Sequence, residues 1–404
     1  MEYRFSKTLE GFQSSAVREI LKLTQGKSII SFAGGLPAAE HFPLQAVGEA
    51  ANRALAQGAS ALQYGLTEGY LPLRETMTKR MAGKGMNVKP EEMILTTGSQ
   101  QVIDLLSRVY IDPGDVILVE RPTYLAAIQV FQARGAQIVS VESDRDGMKL
   151  DDLAAKIAQY APKMVYVTPT FSNPAGKVWS LERRKGLLEQ CLKANVLILE
   201  DDPYGELQFD GGERYPSIFS LYDGGQAAGN PVVYTSTFSK IVAPGLRTGW
   251  ALGDVEVIRN IAKAKQAADL QSSTMDQMTL HQLLEHFDID QHIGVIQADY
   301  KGRMKLMASL LAEQNWEGVE WSEPKGGMFF WVELPEGAKA EDLLKLAVEE
   351  GVAFVPGSSF YAGNPVHNTM RLNFTHSDND TLRLGMQRLA TAMQKYQAAG
   401  RMSR

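Results

Sequence analysis

The sequence predicts an α/β protein: a large domain with a mostly parallel central sheet flanked by helices, and a smaller α+β domain. Two observations lead to this prediction. Between about residues 45 and 285, short apolar segments of strand length alternate with longer segments of helical periodicity. This pattern is typical of a parallel sheet that is covered on both faces. After about residue 285, a long helical pattern leads into a few short strands.

The strands of the large domain are predicted from short apolar runs rich in β-branched residues. In chain order they occupy residues 93–97, 115–120, 136–142, 163–169, 195–201 and 232–236. Helical spacing of apolar residues follows in GSQQVIDLLSRVY, LDDLAAKIAQYA and LERRKGLLEQCLKA. The smaller domain has a long helix in HIGVIQADYKGRMKLMASLLAEQ, strands in GGMFFWVEL, VAFVPGSSF and MRLNFT, and a last helix in DTLRLGMQRLATAMQKY.

We divide the chain into three parts. Residues 46–285 contain no linker-like or low-complexity stretch, so they are predicted to form the large domain. Residues 286–404 form the smaller domain. Residues 1–45 hold a short helical pattern, SSAVREILKLTQ, and an extended segment, SIISFAGGLPAAEHFP. We expect this N-terminal arm to pack with the smaller domain.

The composition favours small-molecule partners. The 404 residues include 41 basic and 47 acidic side chains, for a net charge of −6, which leaves no electrostatic footprint for nucleic acid or an acidic membrane. No apolar run is long enough to cross a bilayer, and the N-terminus lacks the apolar core of a signal peptide. The single cysteine, Cys191, is expected to be buried, and such cysteine usage fits a cytoplasmic location.

Polar and reactive residues gather where the predicted strands end. This is where open α/β sheets bind their ligands. In chain order these residues are Ser99, Gln100, Tyr124, Asn173, Asp201, Asp202, Tyr204, Lys240 and Arg247. Lys240 lies in YTSTFSKIVAPGLRTGW, flanked closely by hydroxyl and apolar side chains.

Several of these residues also have another interpretation. Ser99 could serve only as a helix N-cap, and Tyr124 could simply fill a loop. Asn173 belongs to an Asn-Pro pair, which is an ordinary turn signal. The acidic residues at 201 and 202 could suggest a metal site, but no histidine lies near them, so no metal is predicted.

Taken together, these residue types suit one class of cofactor. A lysine whose pKa is lowered by an apolar site and nearby cations can condense with an aldehyde. A pyridine aldehyde phosphate requires such a lysine, an acid for its ring nitrogen and a cradle for its phosphate. The predicted helix that begins after Gly98 has backbone N–H groups suited to an anion.

The sequence resembles the fold-type I aminotransferases of class I and II, which use pyridoxal 5′-phosphate (PLP). Within them it is most similar to the 2-aminoadipate and kynurenine aminotransferase branch. The likeness covers nearly the whole chain, and its motifs occur in the family order. They are SAVREILKLTQ, SFAGGLPAAEHFP, LQYGLTEGY, TTGSQQ, FSNPAGK, EDDPYGEL, TFSK, APGLRTGW, PKGGMFFW and MRLNF.

The resemblance implies a role for each matching residue in cofactor binding. Lys240 would hold PLP as a Schiff base and later move the substrate proton. Asp201, rather than Asp202, would pair with the pyridinium nitrogen, and Asn173 and Tyr204 would bind the phenolic oxygen. Tyr124 would stack on the ring. The residues around the phosphate would be Ser99, Gln100, Thr237, Ser239 and Arg247, with Thr237 standing where many relatives have serine.

The resemblance also implies a shared active site and a substrate clamp. Tyr64 would reach the phosphate of the neighbouring subunit, which makes the protein an obligate homodimer. Arg371 would bind the substrate α-carboxylate, with Asn173 beside it, and Gly35 would lie against the substrate. Arg18 could meet a distal carboxylate, although a surface arginine on an amphipathic helix is the alternative.

We therefore expect a PLP-dependent aminotransferase with a ping-pong mechanism. The amino donor would be 2-aminoadipate or an aromatic, branched-chain or aliphatic L-amino acid, and the acceptor a 2-oxo acid such as 2-oxoglutarate. A PLP-dependent β-lyase, decarboxylase or oxoamine synthase is the alternative on the same fold. A non-catalytic sensor domain of a transcription regulator is a weaker one. A nicotinamide dehydrogenase is set aside because no strand is followed by a GxGxxG turn.

Overall fold

The computed structural model describes residues 1, 3–6, 19–20, 29–211 and 215–399. Its α-helices are Leu44–Leu55, Leu71–Ala82, Ser99–Tyr110, Leu125–Ala133, Leu150–Tyr160, Leu181–Ala194, Val255–Ala268, Thr274–His286, Ile289–Glu313, Ala340–Glu349 and Asn379–Ala398. Its strands are β1 Ile30–Ser31, β2 Met93–Thr96, β3 Val116–Glu120, β4 Gln137–Val141, β5 Ser143–Asp144, β6 Gly147–Met148, β7 Met164–Val167, β8 Leu197–Asp201, β9 Val232–Thr237, β10 Gly249–Leu252, β11 Glu320–Trp321, β12 Phe329–Glu333, β13 Val352–Ala353, β14 Val355–Pro356 and β15 Thr369–Asn373.

A seven-stranded sheet forms the centre of the large domain, in the order β2-β10-β9-β8-β7-β3-β4. Neighbours from β9 to β4 pair in parallel, whereas β10 is antiparallel to both β9 and β2. The predicted mostly parallel sheet is therefore confirmed. The antiparallel strand β10 is the apolar segment that follows the Lys240 loop in the sequence.

Successive residues of the central strands pack into different apolar cores. In β7, Val165 and Val167 join one buried cluster, while Met164 and Tyr166 join another. Side chains alternate between the two faces of a sheet, so both faces of β7 are covered. This double burial explains why the strands read as continuous apolar runs in the sequence.

The smaller domain is built on a second sheet with the order β11-β12-β15-β14, in which all pairs are antiparallel. The helices Ile289–Glu313 and Asn379–Ala398 pack against each other beside it. Phe329 and Arg371 lie on the central strands β12 and β15 of this sheet. These two strands therefore carry side chains from the smaller domain toward the large one.

The described part of the N-terminal arm is attached to the smaller domain. Strand β1 pairs in parallel with β13, and Phe32 donates its N–H to the carbonyl of Ala353 at 2.8 Å. The Phe32 ring is fully buried, and a Cβ on Gly385 would lie 2.4 Å from it. These contacts fasten the segment around Phe32 to the smaller domain, while the domain boundaries at residues 45 and 285 stay predictions.

Two further features of the fold concern the single cysteine and the apolar character of the helices. Cys191 is buried in the main core, as predicted, and burial raises the pKa of its thiol to about 12. Among the described residues, no helix combines the length and the apolar character needed to cross a membrane.

Candidate active site

A cavity of about 700 Å³ opens at the carboxyl end of the parallel strands. Most residues that the sequence predicted for the site line it, although they span the chain from the arm to the smaller domain. They are Gly35, Ser99, Gln100, Tyr124, Asn173, Asp201, Tyr204, Thr237, Ser239, Lys240, Arg247 and Arg371. The fold thus brings together side chains from strand ends that lie far apart in sequence.

Lys240 projects its amine into this cavity. It ends the short helical turn Phe238–Lys240, and its Nζ donates to the carbonyl of Gly35 at 2.8 Å. Burial, assisted by the positive charges of Arg371 and Arg247, lowers the pKa of Lys240 to about 8. A larger fraction of the amine is therefore neutral and nucleophilic near neutral pH than for an ordinary lysine.

The turn that presents Lys240 is fixed by the hydroxyl residues before it. Thr237 ends β9, and its Oγ1 accepts a hydrogen bond from the Ser239 N–H at 3.1 Å. The same hydroxyl donates to the carbonyl of Thr248 at 3.1 Å. Phe238 packs on Trp250 with a ring separation of 5.0 Å. The hydroxyl residues Thr237 and Ser239, whose sequence pattern is also typical of a surface loop, are thus buried and stabilise the turn.

Asp201 presents an unpaired carboxylate oxygen. Its Oδ2 accepts a hydrogen bond from the Tyr166 hydroxyl at 2.8 Å, whereas its buried Oδ1 has no partner among the described residues. Burial raises the pKa of Asp201 to about 7, although the bond from Tyr166 opposes this shift. A buried carboxylate of this kind is stabilised when a cationic group approaches it.

Asp202 is directed away from the cavity. Its carboxylate accepts hydrogen bonds from the Tyr234 hydroxyl at 2.9 Å and from the Gly205 N–H at 2.8 Å. Adjacent residues at the end of a strand point to opposite faces. This alternation places Asp201 on the cavity wall and Asp202 behind it.

The other end of the cavity is suited to an anion. Gly98 (φ +78°) precedes the helix Ser99–Tyr110, whose first N–H groups are unsatisfied within the helix. Arg247 faces this turn, with its Nη1 3.4 Å from the Ser239 hydroxyl. A Cβ at Gly98 would lie 2.5 Å from Arg247 Nη2, so only glycine lets the guanidinium approach.

Arg371 is buried where the smaller domain meets the cavity. Its Nη2 donates to the carbonyl of Ala33 at 2.6 Å and its Nη1 to Asn173 Oδ1 at 2.5 Å. Its Nε has no partner among the described residues. The guanidinium carbon lies 4.2 Å from the ring centre of Phe329 and 5.0 Å from that of Phe360. Burial lowers the pKa of Arg371 to about 10, which leaves it charged at neutral pH.

Two tyrosines complete the wall. Tyr204 forms a hydrogen bond with the Asn173 side chain, and burial raises the pKa of its hydroxyl. Tyr124 precedes the helix Leu125–Ala133, and burial, followed by the charge of Asp201, raises its pKa to about 12. Both hydroxyls therefore stay protonated and can donate hydrogen bonds.

Comparison with known proteins identifies the family. Residues 27–389 match the family model described as aminotransferase class I and II. The chain belongs to this family. It is 41% identical to aromatic-amino-acid aminotransferase 1 of Thermococcus litoralis, over 98% of this chain and 95% of that protein. It is 40% identical to the 2-aminoadipate transaminase of Thermus thermophilus, over 96% of each.

A solved structure agrees with the fold. The alpha-aminoadipate aminotransferase of Thermus thermophilus, complexed with N-(5′-phosphopyridoxyl)-L-leucine, superimposes with a TM-score of 0.90. The two chains are 38% identical, and the match covers 98% of each. The fold-type I assignment is thereby confirmed. The protein is an aminotransferase that uses pyridoxal phosphate and acts on amino acids and 2-oxo acids.

Among the predicted residues that the structure describes, Tyr64 does not line the cavity of the aminotransferase. Tyr64 is 77% exposed and lines a separate surface groove with Leu66 and Leu71. Its predicted contact with the phosphate of a neighbouring subunit requires a second chain, so this role stays a prediction. Arg18 lies outside the described residues.

The sequence did not point to several other residues on the wall of the aminotransferase cavity. They are Leu125, Ala126, Gln129, Thr168, Pro203, Pro244 and Phe360. Leu125 and Ala126 directly follow Tyr124, so their position next to a predicted site residue was an available signal. No signal in the sequence pointed to Phe360, because it is brought near Arg371 by packing within the smaller domain.

Proposed function

We propose that this cavity binds PLP and that the enzyme transfers an amino group there from 2-aminoadipate or an aromatic, branched-chain or aliphatic L-amino acid to a 2-oxo acid such as 2-oxoglutarate. The observation that carries the proposal is the arrangement of three groups on one cavity. They are the Lys240 amine, the unpaired Asp201 oxygen and the anion-binding turn at Gly98. These groups match the aldehyde, the ring nitrogen and the phosphate of one ligand.

The residues that would hold the cofactor divide by the part of it that they meet. When bound, PLP supplies a carbonyl that takes up the amino group and a ring that takes up electrons released at the substrate Cα. Asp201 Oδ1 would keep a proton on the ring nitrogen, because this buried oxygen has no partner among the described residues and a cationic partner would stabilise its charge. Asn173 and Tyr204 would bind the phenolic oxygen, and Tyr124 would cover one ring face.

Lys240 is the proposed acid and base of the reaction. Its amine has a pKa of about 8 because of burial and the neighbouring arginines, so it can both accept and return a proton near neutral pH. The hydrogen bond to the Gly35 carbonyl holds the amine inside the cavity. The cofactor phosphate would be held by Ser99, Gln100, Thr237, Ser239 and Arg247. These contacts would keep the cofactor ring beside the Lys240 amine.

Arg371 is the proposed clamp for the substrate α-carboxylate. Its side chain is oriented by Ala33 and Asn173 and keeps Nε without a partner among the described residues. The rings of Phe329 and Phe360 fix the plane of the guanidinium. A carboxylate can accept two parallel hydrogen bonds from such a planar group.

The walls of the cavity support a broad range of side chains. Leu125, Ala126 and Phe360 offer apolar surface. Among the described residues that line the cavity, the basic side chains are Lys240, Arg247 and Arg371. A distal carboxylate would therefore need a cation from elsewhere, and Arg18 of the arm remains the proposed one.

A homodimer with shared active sites is part of the proposal. The apolar side chains around Tyr64 are exposed, including Leu62 at 75% and Leu66 at 59%. Such a patch is typical of a surface that a partner covers. A second copy would bury it and could bring Tyr64 to the phosphate of the other subunit. The single buried cysteine fits the proposed cytoplasmic location.

The visible absorption spectrum of the purified holoenzyme tests the proposal. Glutamate, 2-aminoadipate, kynurenine, leucine, methionine and phenylalanine would be added one at a time. We expect the cofactor band to be lost with the preferred donors and restored by 2-oxoglutarate. A band that no amino acid changes would contradict transamination of these substrates, and absence of any band would contradict the role of Lys240.

A further inference from the structure

The residues 360–364, which we name the wall segment, connect the cavity to the protein surface. Phe360 is buried and lines the cavity beside Arg371, with its ring centre 5.0 Å from the guanidinium carbon. It also packs against Trp331 with a ring separation of 6.0 Å. Gly363 and Asn364, at the other end of the segment, are exposed. The wall segment therefore links a ring on the cavity wall to contacts that are made at the protein surface.

Arg121 of the large domain fastens the wall segment at its exposed end. Its Nη1 donates to the carbonyl of Gly363 at 3.2 Å and its Nη2 to that of Asn364 at 3.0 Å. The guanidinium carbon lies 5.0 Å from the ring centre of Tyr361. A planar guanidinium with two donors and a stacked ring has one preferred orientation, which a lysine could not reproduce.

Two further contacts strengthen this connection. Arg121 Nε lies 3.4 Å from Glu142 Oε1, and this ion pair further restricts the guanidinium. Two residues along, Thr123 donates its N–H to the carbonyl of Phe360 at 2.9 Å. The loop that precedes Tyr124 therefore binds the wall segment at both ends, at Phe360 and at Gly363 and Asn364.

We infer that Arg121 is a positioning residue that sets substrate side-chain discrimination by holding Phe360 against the substrate pocket. The inference rests on the proposed function, since it assumes that the substrate α-carboxylate lies at Arg371. With its carboxylate there, the side chain of an amino acid lies within reach of the neighbouring Phe360 ring. Loss of Arg121 releases the end of the wall segment at Gly363 and Asn364, so that Phe360 keeps its contacts with Thr123 and Trp331 but loses the support from the surface side.

The variant Arg121→Ala tests this inference. We expect KM for phenylalanine to rise about tenfold, the lower end of what one lost apolar contact costs in a hydrophobic pocket, while KM for alanine and kcat for both change little. The affinity for PLP, measured by fluorescence titration of the apoenzyme, should equal that of the wild type. Arg121→Lys should restore only part of the wild-type ratio of the two KM values. Lysine supplies the positive charge but lacks the planar guanidinium with its two N–H donors.

The matched control is Arg183→Ala. Arg183 also bridges a carboxylate and a carbonyl, Asp144 and Met148, at an exposure of 19% against 21% for Arg121, and it does not line the cavity. This variant should keep the wild-type ratio of the two KM values. Thermal unfolding of both variants separates a general loss of stability from the selective effect.

A double-mutant cycle with Phe360→Ala then shows whether Arg121 acts through Phe360. The effect of Arg121→Ala on the KM ratio should disappear in the Phe360→Ala background. An unchanged ratio in Arg121→Ala, or an effect that persists without Phe360, would overturn the inference. A wild-type enzyme that transaminates neither amino acid would instead overturn the proposed substrate range, so the two failures are distinguishable.

Discussion

At the scale of single residues, Lys240 and Asp201 have opposite pKa shifts for the same reason. Burial disfavours the charged form of each group, so it lowers the pKa of the lysine and raises that of the carboxylic acid. Each group lacks a strong counter-charge among the described residues. A ligand that supplies an aldehyde to one and a cation to the other would relieve both costs, which is the basis of the proposed PLP site.

The pKa of Lys240 leads to a prediction for the apoenzyme. Only the neutral amine attacks an aldehyde, so the rate of reaction with PLP should rise with pH and level off above about 8. An ordinary lysine would continue to gain rate up to about 10.4. Stopped-flow absorbance would measure the rate, with Nα-acetyl-lysine as the reference amine to correct for titration of PLP itself. Arg371→Met should move the inflection to higher pH, because it removes a positive charge near the amine.

Asp201→Asn should reduce kcat by about 10²–10³-fold, the scale of removing one preorganised electrostatic partner. An amide keeps the size of the side chain but cannot hold a proton on the ring nitrogen. Steady-state kinetics would measure the loss, and circular dichroism would check the fold. Asp202→Asn is the matched control, since Asp202 faces Tyr234 and Gly205 behind the cavity wall. Equal losses in both variants would contradict the proposed role of Asp201.

At the scale of secondary-structure elements, the helix Val255–Ala268 supports the anion-binding turn. Lys265 near its end is fully buried, and its Nζ donates to Gln101 Oε1 at 2.8 Å and to Asp269 at 2.8 Å. The same Gln101 oxygen accepts a hydrogen bond from the Thr97 N–H at 2.8 Å. One lysine thus connects two helices to the backbone just before Gly98.

Lys265→Met should therefore weaken both the fold and cofactor binding. We expect the free energy of unfolding of the apoenzyme to fall by about 1–3 kcal/mol, as for the loss of buried hydrogen bonds to a charged group. The affinity for PLP should fall as well, because the turn loses its support. Urea denaturation and fluorescence titration would measure these changes. Lys263→Met, an exposed position on the same helix, should leave both at wild-type values; wild-type PLP affinity in Lys265→Met would contradict the link.

At the scale of the whole molecule, the exposed patch around Tyr64 predicts the oligomeric state. Leu62→Glu places a charge in this apolar patch and should convert the proposed dimer into monomers. Sedimentation velocity would measure the change. The monomer should bind PLP more weakly, since it lacks the partner's tyrosine. Leu192→Glu, an exposed leucine on the helix Leu181–Ala194, is the control that should remain dimeric. A wild-type monomer with a full complement of PLP would contradict the shared site.

The sequence alone predicted which residues line the candidate site, because that information is local. Ser99, Tyr124, Asp201 and Lys240 each follow closely on an apolar strand or its turn, and the carboxyl ends of parallel strands meet at one edge of the sheet. Strand positions could be predicted within a few residues for the same reason, since continuous apolar runs reflect burial on both faces. The family motifs then supplied the roles that residue types alone left open.

The tertiary structure decided what depends on contacts between distant parts of the chain. The order of the strands and the antiparallel direction of β10 follow from pairing partners, which no local pattern specifies. Asp201 faces the cavity and Asp202 faces away from it, because successive side chains at the end of β8 point to opposite faces of the sheet. Phe360 reaches the cavity through contacts with residues far away in sequence, which include Trp331, Arg371 and Thr123. Apolar periodicity records whether a residue is buried, but not which residue from elsewhere in the chain it will meet.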